Sequence, residues 1–506
     1  MHTVRLLLKT TEYDKQVIDK RFRAIAHIHN ITVKRAKYLL RKLEVDKEYQ
    51  VCLSEYKEIN KKNKLSSTDK KRKAELSKQM STMRLDLELS EYGLQSYIKI
   101  CGKQFSKYLS SQQIQKEATR VWKGVEKVLF DKGENIHYKK RSNFTTISGK
   151  TNTNGVKFDK ESLSIEWIGL NIKCKLPKKS KDYILESLDN DISYCEIERK
   201  MFPNGWHYYA IVYLKGDAPK KMNIATSSDN ITGLDIGTSS VATVSDTKMT
   251  LRELAPKCKD YNKKIQKLQY HMDISKRNTN PHKYNANGTV KKNNKEPWVF
   301  SKTYLKNRCK LRSLYRQKSA YIKQSHEEYC NELIKDSVNF IVETINFKAL
   351  QKKSKNIERS NKASNVKQKD GSVKQIYKFK KKKRFGKSLN NRAPALLIAT
   401  LERKCNQYGG QLQKVNTQKF RASQYDHTID DYIKKDLSER IFKLADGSEV
   451  QRDLYSAFLL KNSNTKLDAP DRLKCLYEFN RFLDMQNKLI ETMKQDNISM
   501  KTCFGF

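Results

Sequence analysis

Three acids stand where carboxylates are costly. Asp235 lies between Leu234 and Ile236 in the run GLDIGTSS (233–240). Glu343 closes the apolar run Phe340-Ile341-Val342, and Asp453 opens a stretch carrying Ala457, Phe458 and Leu459. A carboxylate among buried strand residues is expensive unless a cation or hydrogen bonds compensate it. Three converging carboxylates would repel one another, and divalent metal would relieve that repulsion. Such a cluster suits two-metal phosphodiester hydrolysis, in which one ion activates water and the other stabilises the leaving oxygen. Hard oxygen donors favour magnesium or manganese. Gly233 and Gly237 flank Asp235 and allow another group to approach the backbone closely. The residues alone leave two other readings open. Asp-x-Gly-Thr also occurs in phosphate-binding turns of sugar-kinase and actin-like ATPases. Strand-edge acids are also ordinary, and this chain has 56 acids from which three could be chosen.

The surrounding pattern predicts the elements that would position these acids. Val4, Leu6 and Leu8 alternate with Arg5, Leu7 and Lys9, which predicts an opening strand. Ile18, Phe22, Ile25 and Ile28 then follow helical spacing. The stretch from 15 to about 130 has no Pro and is dense in Lys, Glu, Leu and Gln, so it reads as several helices with a hinge near 61–67. From 135 to 228 the texture is β, with hairpin signals at Asn154-Gly155 and Asn204-Gly205. An opening strand that paired with this module would make the helices an insertion. After 229, ITGLDIGTSSVATVSD (231–246) reads as strand, turn, strand, followed by a long helical region. SVNFIVETINF (337–347) reads as a buried strand. Pro394 opens a helix with Leu397 and Leu401 on one face and Gly409-Gly410 as its stop. A short strand over 411–415 and a hairpin turning at Asp446-Gly447 precede the Asp453 helix. A last amphipathic helix is expected to bury Leu476, Phe479, Leu483 and Ile490.

The charge names the partner class. The 506 residues hold 103 Lys and Arg against 56 Asp and Glu, a net of +47. That charge repels itself in a compact chain unless a polyanion neutralises it. No apolar run approaches the roughly 18 residues of a spanning helix. The start has no signal-peptide pattern, so nucleic acid rather than membrane is the expected partner. Residues 347–390 carry 16 basic residues against two acids, a net of 16 − 2 = +14. Lys380, Lys381, Lys382, Lys383 and Arg384 form its centre, within KFKKKKRFGK (378–387). Together with Lys291 and Lys292 of a basic loop over 276–295, and Arg452 beside Asp453, they are candidate nucleic-acid contacts. The plainer reading of both runs is a solvated basic loop. Ten Cys are scattered with a closest spacing of 21 residues and no CxxC, so neither a disulfide framework nor a thiolate zinc site is expected.

The order of several segments resembles the TnpB family, the RNA-guided transposon nucleases close to small type V CRISPR effectors. HYKKRSNFTTISG (137–149) is similar to the family's basic, Phe-containing opening of its β module. The hairpin around Asn204-Gly205-Trp206, followed by Tyr208-Tyr209-Ala210, is similar to the strand pair before its catalytic unit. GLDIGTSSVAT (233–243) and IVETINFKAL (341–350) resemble its first two RuvC segments. APALLIATLERKCNQYGGQLQKVN (393–416) resembles the helix–Gly–strand leading to the third. ASQ (422–424) and QRDLYSAFLL (451–460) resemble the segments bracketing its zinc hairpin. The likeness runs in order over about 137–460 and reaches the helical block only by position and charge.

The resemblance implies a multidomain α+β protein. A β-barrel-like wedge module would comprise 1–12 and 135–228, with an inserted helical recognition lobe over 13–134. An RNase H-like RuvC nuclease domain would span 229–506, with a helical insertion at 251–335 and a cysteine-free remnant of the zinc hairpin at 417–452. It implies that Asp235, Glu343 and Asp453 are catalytic, metal-binding carboxylates. It implies magnesium or manganese, a guide RNA, and target DNA cut beside a short protein-read motif. A cytoplasmic, nucleoid-associated prokaryotic protein is expected, with monomer or dimer on the RNA left open. The departure is the missing Cys pairs: Ser423-Gln424 is followed by Tyr425, Asp426 and His427, and 421–453 has no Cys. His427, Asp426, Asp430 and Asp431 could hold a metal there, or side-chain packing could replace the zinc. The alternatives are a small type V CRISPR effector using crRNA, a guided DNA-binding regulator without cleavage, and an actin-like ATPase.

Overall fold

The computed structural model describes residues 1–62, 65–130, 132–220, 230–291, 296–351, 359–367, 373–379, 385–436 and 439–506. The chain divides into two units, Met1–Lys221 and Met222–Phe506.

The first unit opens with β1 (His2–Leu8), which buries Val4, Leu6 and Leu8 and leaves Arg5 exposed. Thr11 and Asp14 then form a reciprocal capping box that starts α1 (Glu12–Val45). Helices α2 (Lys47–Lys61), α3 (Ser67–Asp86), α4 (Glu91–Gly102) and α5 (Ser111–Leu129) follow. Asp46, Ser66, Ser90 and Ser110 cap these four through backbone N–H groups. Next come β2 (Thr146–Ser148), β3 (Val156–Asp159), β4 (Ser164–Trp167), β5 (Leu170–Lys175), α6 (Lys181–Leu188), β6 (Ile192–Phe202) and β7 (Gly205–Leu214). The seven strands form one sheet in the order β2-β6-β7-β1-β5-β4-β3. It curls as an antiparallel half-barrel, with β3 returning towards β6. The opening strand is therefore central, between β7 and β5, and α1–α5 are inserted between it and the rest of its own sheet. Arg21 of α1 ties the two parts together. Its buried guanidinium lies 4.3 Å over the Trp167 ring and donates to the Trp167 carbonyl at 2.6 Å.

The second unit begins with β8 (Ile231–Ile236), β9 (Ser240–Val244) and β10 (Met249–Glu253). Two long helices, α7 (Cys258–Thr279) and α8 (Lys302–Ile334), lead to β11 (Asn339–Glu343). Then follow α9 (Phe347–Leu350), β12 (Arg359–Lys367), β13 (Val373–Phe379), α10 (Gly386–Arg392), α11 (Pro394–Gln407) and β14 (Leu412–Val415). The last part holds α12 (Thr417–Phe420), β15 (Tyr425–Asp426), β16 (Asp431–Tyr432), β17 (Ile441–Lys443) and β18 (Glu449–Gln451). It ends with α13 (Arg452–Lys461) and α14 (Arg472–Gln495). The main sheet has the order β10-β9-β8-β11-β14. The first three strands are antiparallel, and β11 runs parallel to both β8 and β14. Alternation divides the core into two layers. Leu234, Ile236, Phe340 and Val342 pack with Leu333 of α8 and Leu397 of α11. On the other face Ala242, Val244 and Ile341 pack with α13 and α14.

Four expectations need correction or narrowing. The strand β10 runs to Glu253, two residues past 251, where the helical insertion was expected to begin. It is a third sheet strand that buries Met249 and Leu251. The buried stripe of α14 is Cys475, Phe479, Phe482, Gln486 and Met493, whereas Leu476 is 47% exposed. Several hydrophobic residues compete for that face, and aromatic packing with Tyr455 and Phe458 selects the one carrying Phe482. Within the basic stretch, β12 and β13 form a two-stranded hairpin that lysine-rich composition concealed. In the cysteine-free segment, packing occupies the place weighed for a metal. His427 is fully buried against Tyr455, Phe458 and Phe479, with Nδ1 2.8 Å from the Tyr455 hydroxyl. Asp426 accepts from Thr428 and from the Ala445 N–H, Asp430 accepts from the Tyr425 hydroxyl, and Asp431 from the Tyr432 N–H.

Candidate active site

Asp235 lies near the C-terminal end of β8, on the face opposite Leu234 and Ile236. Helix α13 covers that face. A Cβ on Gly233 would stand 1.9 Å from the Ala457 carbonyl oxygen and 2.4 Å from the Lys461 nitrogen. Glycine is thus what lets the helix lie directly on the strand backbone. The first turn of α13 is set by Gln451, whose side-chain oxygen accepts from the Leu454 N–H at 2.7 Å. The backbone N–H of Gln451 donates to Gln486 of α14 at 2.8 Å. That anchored turn carries Asp453. The third acid arrives by strand pairing: β11 runs parallel beside β8 with Val342 opposite Leu234. One residue further on, Glu343 and Asp235 lie at the C-terminal ends of neighbouring strands, on the face opposite Leu234 and Val342. Three acids, each more than a hundred residues from the next, thus share one edge of the sheet.

Their electrostatics agree with that placement. Burial pushes the Asp235 carboxyl well above the usual carboxylate range, and the charges of Asp453 and Glu343 push it further; Arg452 opposes the shift. Burial raises Glu343 to about 7 against a hydrogen bond from the Ala422 backbone. Burial also raises Asp453, with Arg452 and a hydrogen bond from Ser240 acting the other way. Asp453 has cationic partners: Arg452 Nε is 3.2 Å and Arg440 Nη1 3.5 Å from its Oδ1. Among the described residues, no three His, Cys, Asp or Glu side chains are gathered closely enough to clasp one ion. The carboxylates share an edge and feel one another's charge, but Asp453 is turned to the arginines. The donor set nevertheless fits a hard divalent cation in its chemistry, with oxygen donors only and negative charge that the protein compensates incompletely.

This arrangement carries a pH signature. The folded-state value of Glu343, about 7, lies above the ordinary 4.5. The folded chain then holds a proton that the unfolded chain releases, so metal-free stability falls as pH rises between those values. Its contribution is on the order of 2 kcal/mol once screening by nearby solvent is allowed for. Thermal melts of metal-free Glu343→Gln should show a weaker decline between pH 5 and about 8 than the native chain. Parallel curves would remove Glu343 from this account.

The other candidate residues are placed less informatively. Arg452 is turned onto Asp453. Lys291 is exposed, at the end of a turn whose backbone N–H donates to Lys283. Lys292, Lys380, Lys381, Lys382, Lys383 and Arg384 lie outside the described residues. Sequence reasoning missed Arg440, Ser240 and Gln451. Ser240 ends the GLDIGTSS run and was within reach of the reading. Arg440 has no local signal, because it meets Asp453 only through the β17–β18 hairpin, which brings its carbonyl to the Arg452 N–H.

No protein-family model matches the chain, and no curated protein matches it. Solved structures do show similarity. The protein in a cryo-EM structure of a Cas12f1–sgRNA–target DNA complex is 14% identical. That alignment covers 92% of this chain and 99% of that one, with a TM-score of 0.42. The protein in a cryo-EM structure of a CRISPR-Cas12f ternary complex is 13% identical over 92% and 99% of the two chains, with a TM-score of 0.29. Among the described residues no helix is long and apolar enough to cross a membrane.

Proposed function

We propose that this chain is an RNA-guided, metal-dependent DNA endonuclease whose site is RuvC-like, on an RNase H-like sheet. The carrying observation is the placement of Asp235 and Glu343 on paired parallel strands beneath the helix that carries Asp453, with the Asp235 carboxyl raised by burial and then by the charges of Asp453 and Glu343. Counted within its own five-stranded sheet, the strand order 3-2-1-4-5 supports the RNase H-like reading, as does the position of the acids on its first strand, fourth strand and covering helix. The net charge of +47 supports two polyanionic partners, a guide RNA and a target DNA. In this reading the half-barrel sheet is the wedge module, and α1–α5 are the recognition lobe.

Asp235, Glu343 and Asp453 would hold the metal, and Asp453 would exchange arginine contacts for it. Bound magnesium or manganese supplies an activated water and neutralises charge on the leaving oxygen. The protein's own part is positioning. Gly233 and the Gln451 cap set the first turn of α13, which carries Asp453, and strand pairing sets Glu343 on the strand beside that of Asp235. Retention of all three acids favours a cutting enzyme over a guided binder.

The test is purification from cells carrying the native locus, with sequencing of the RNA that comes along. A discrete RNA with one variable end, and magnesium-dependent nicking of DNA matched to that end, are expected. Random cellular RNA with no nicking would overturn the reading.

A further inference from the structure

The α1 helix of the first unit has one face that its own core does not use. Val33, Ala36, Leu39, Leu40 and Leu43 are buried, which holds the helix in place. Turned away from them are Lys34, Lys37, Tyr38 and Arg41, spaced three, four and seven residues from the first and so on one side of the helix. Tyr38 is 49% exposed, a large ring left facing solvent. Lys42 Nζ lies 5.0 Å from its ring centroid, and Arg35 lies between Tyr38 and Tyr97, at 5.8 and 5.0 Å. Beside the same face stands Tyr138, 54% exposed, with Lys37 Nζ 5.1 Å from its ring. The acids at this patch are Glu88, which pairs with Arg35 at 2.8 Å, and the exposed Glu44. Lys34, Lys37, Arg41 and Lys42 outnumber them.

Exposed aromatic rings set among cations have a chemistry of their own. The rings offer flat faces to a nucleobase and the cations meet phosphates, and neither part needs base-pair geometry. An acidic peptide would use the cations and leave both rings without a counterpart. A lipid surface would need exposed aliphatic residues, and on this stretch of α1 only Val45 is one. We propose that this face binds an unpaired stretch of nucleic acid, with Tyr38 and Tyr138 stacking on bases and Lys34, Lys37, Arg41 and Lys42 meeting phosphates. The inference rests on the nucleic-acid reading above and adds where a single strand is held and by what contact.

The test is fluorescence anisotropy on the full chain, stripped of copurified RNA and free of magnesium so that cleavage is not read. The probes are a labelled oligothymidylate of about 16 nucleotides and a blunt DNA duplex of the same length. Tyr38→Ala should weaken oligothymidylate binding about 10-fold, while Tyr38→Phe binds as the native chain does. Neither should change duplex binding or the salt dependence, because no charge is removed. Lys37→Ala should instead lower the salt slope by about 0.7. Native binding by Tyr38→Ala, an equal loss in Tyr38→Phe, or an equal loss on the duplex would each overturn the stacking site and leave the nuclease reading standing. A native chain that binds neither probe would overturn both.

Discussion

Replacing Asp235 with Asn should make the metal-free protein more stable and abolish cleavage. The carboxyl of Asp235 is held well above its ordinary range by burial and by the negative charges of Asp453 and Glu343. Ionising it in the fold is therefore unfavourable, and the unfolded chain feels none of this. Asparagine keeps the shape and removes the charge. The gain appears at pH values where the unfolded group is ionised, above about 4, and grows as pH rises. We expect a melting midpoint raised by about 3 °C at pH 8 and much less at pH 5. Magnesium-dependent nicking should fall at least about 1000-fold, because a lost metal ligand removes several kcal/mol of transition-state stabilisation. A site that trades stability for activity behaves in this way. Asp453→Asn should bring a smaller gain, since burial raises its carboxyl but pairing with Arg452 and Arg440 offsets part of that. A lower melting point for Asp235→Asn at pH 8 would mean that the acids are not mutually repulsive, and the metal-site reading would lose its main support.

Gly233→Ala should cost more than any other single methyl group near the site. The added carbon would stand 1.9 Å from the Ala457 carbonyl oxygen and 2.4 Å from the Lys461 nitrogen, both backbone atoms in the C-terminal half of α13. Backbone cannot rotate aside as a side chain can, so the helix must lift from β8. Leu454, Ala457, Phe458 and Leu460 of this helix are all buried, and lifting it loosens their packing. A loss of about 3 kcal/mol or more in urea unfolding is expected. Cleavage should fail with it, because Asp453 moves with the helix. Gly237→Ala is the control: its nearest contact would be Ser240 Oγ at 3.4 Å, an ordinary distance, and the cost should stay within about 1 kcal/mol. Equal stability of the two variants would contradict the close approach of α13 to β8.

Much of the second unit was legible locally. A glycine before and after Asp235 predicted a close approach to the backbone, and Gly233 is where α13 makes it. Pro394 and Gly409-Gly410 marked the two ends of α11, and Asp446-Gly447 marked the β17–β18 turn. What failed was finer. Helix α14 offers several apolar stripes, and periodicity alone did not choose the one carrying Phe482. The β12–β13 hairpin was hidden by its lysines and by β12, where only Val366 is β-branched, although β13 carries Val373, Ile376, Tyr377 and Phe379. His427 read as a packing group with metal ligation as the lesser alternative, and its aromatic neighbours show the packing.

The amino-acid order settled the kinds of element, their rough limits and the large positive charge, because each is written within a few residues or in the composition. It also set three acids at the ends of apolar runs. That these acids come to the same end of the sheet was decided by the fold: β8 and β11 pair in parallel across two long helices, and α13 docks on Gly233. Strand partners so distant are chosen by the burial of the whole sheet against α8, α11, α13 and α14, a cooperative energy that no short window of sequence contains. The grip of Arg440 on Asp453 arises in the same way, since a hairpin must close before the two side chains stand within reach.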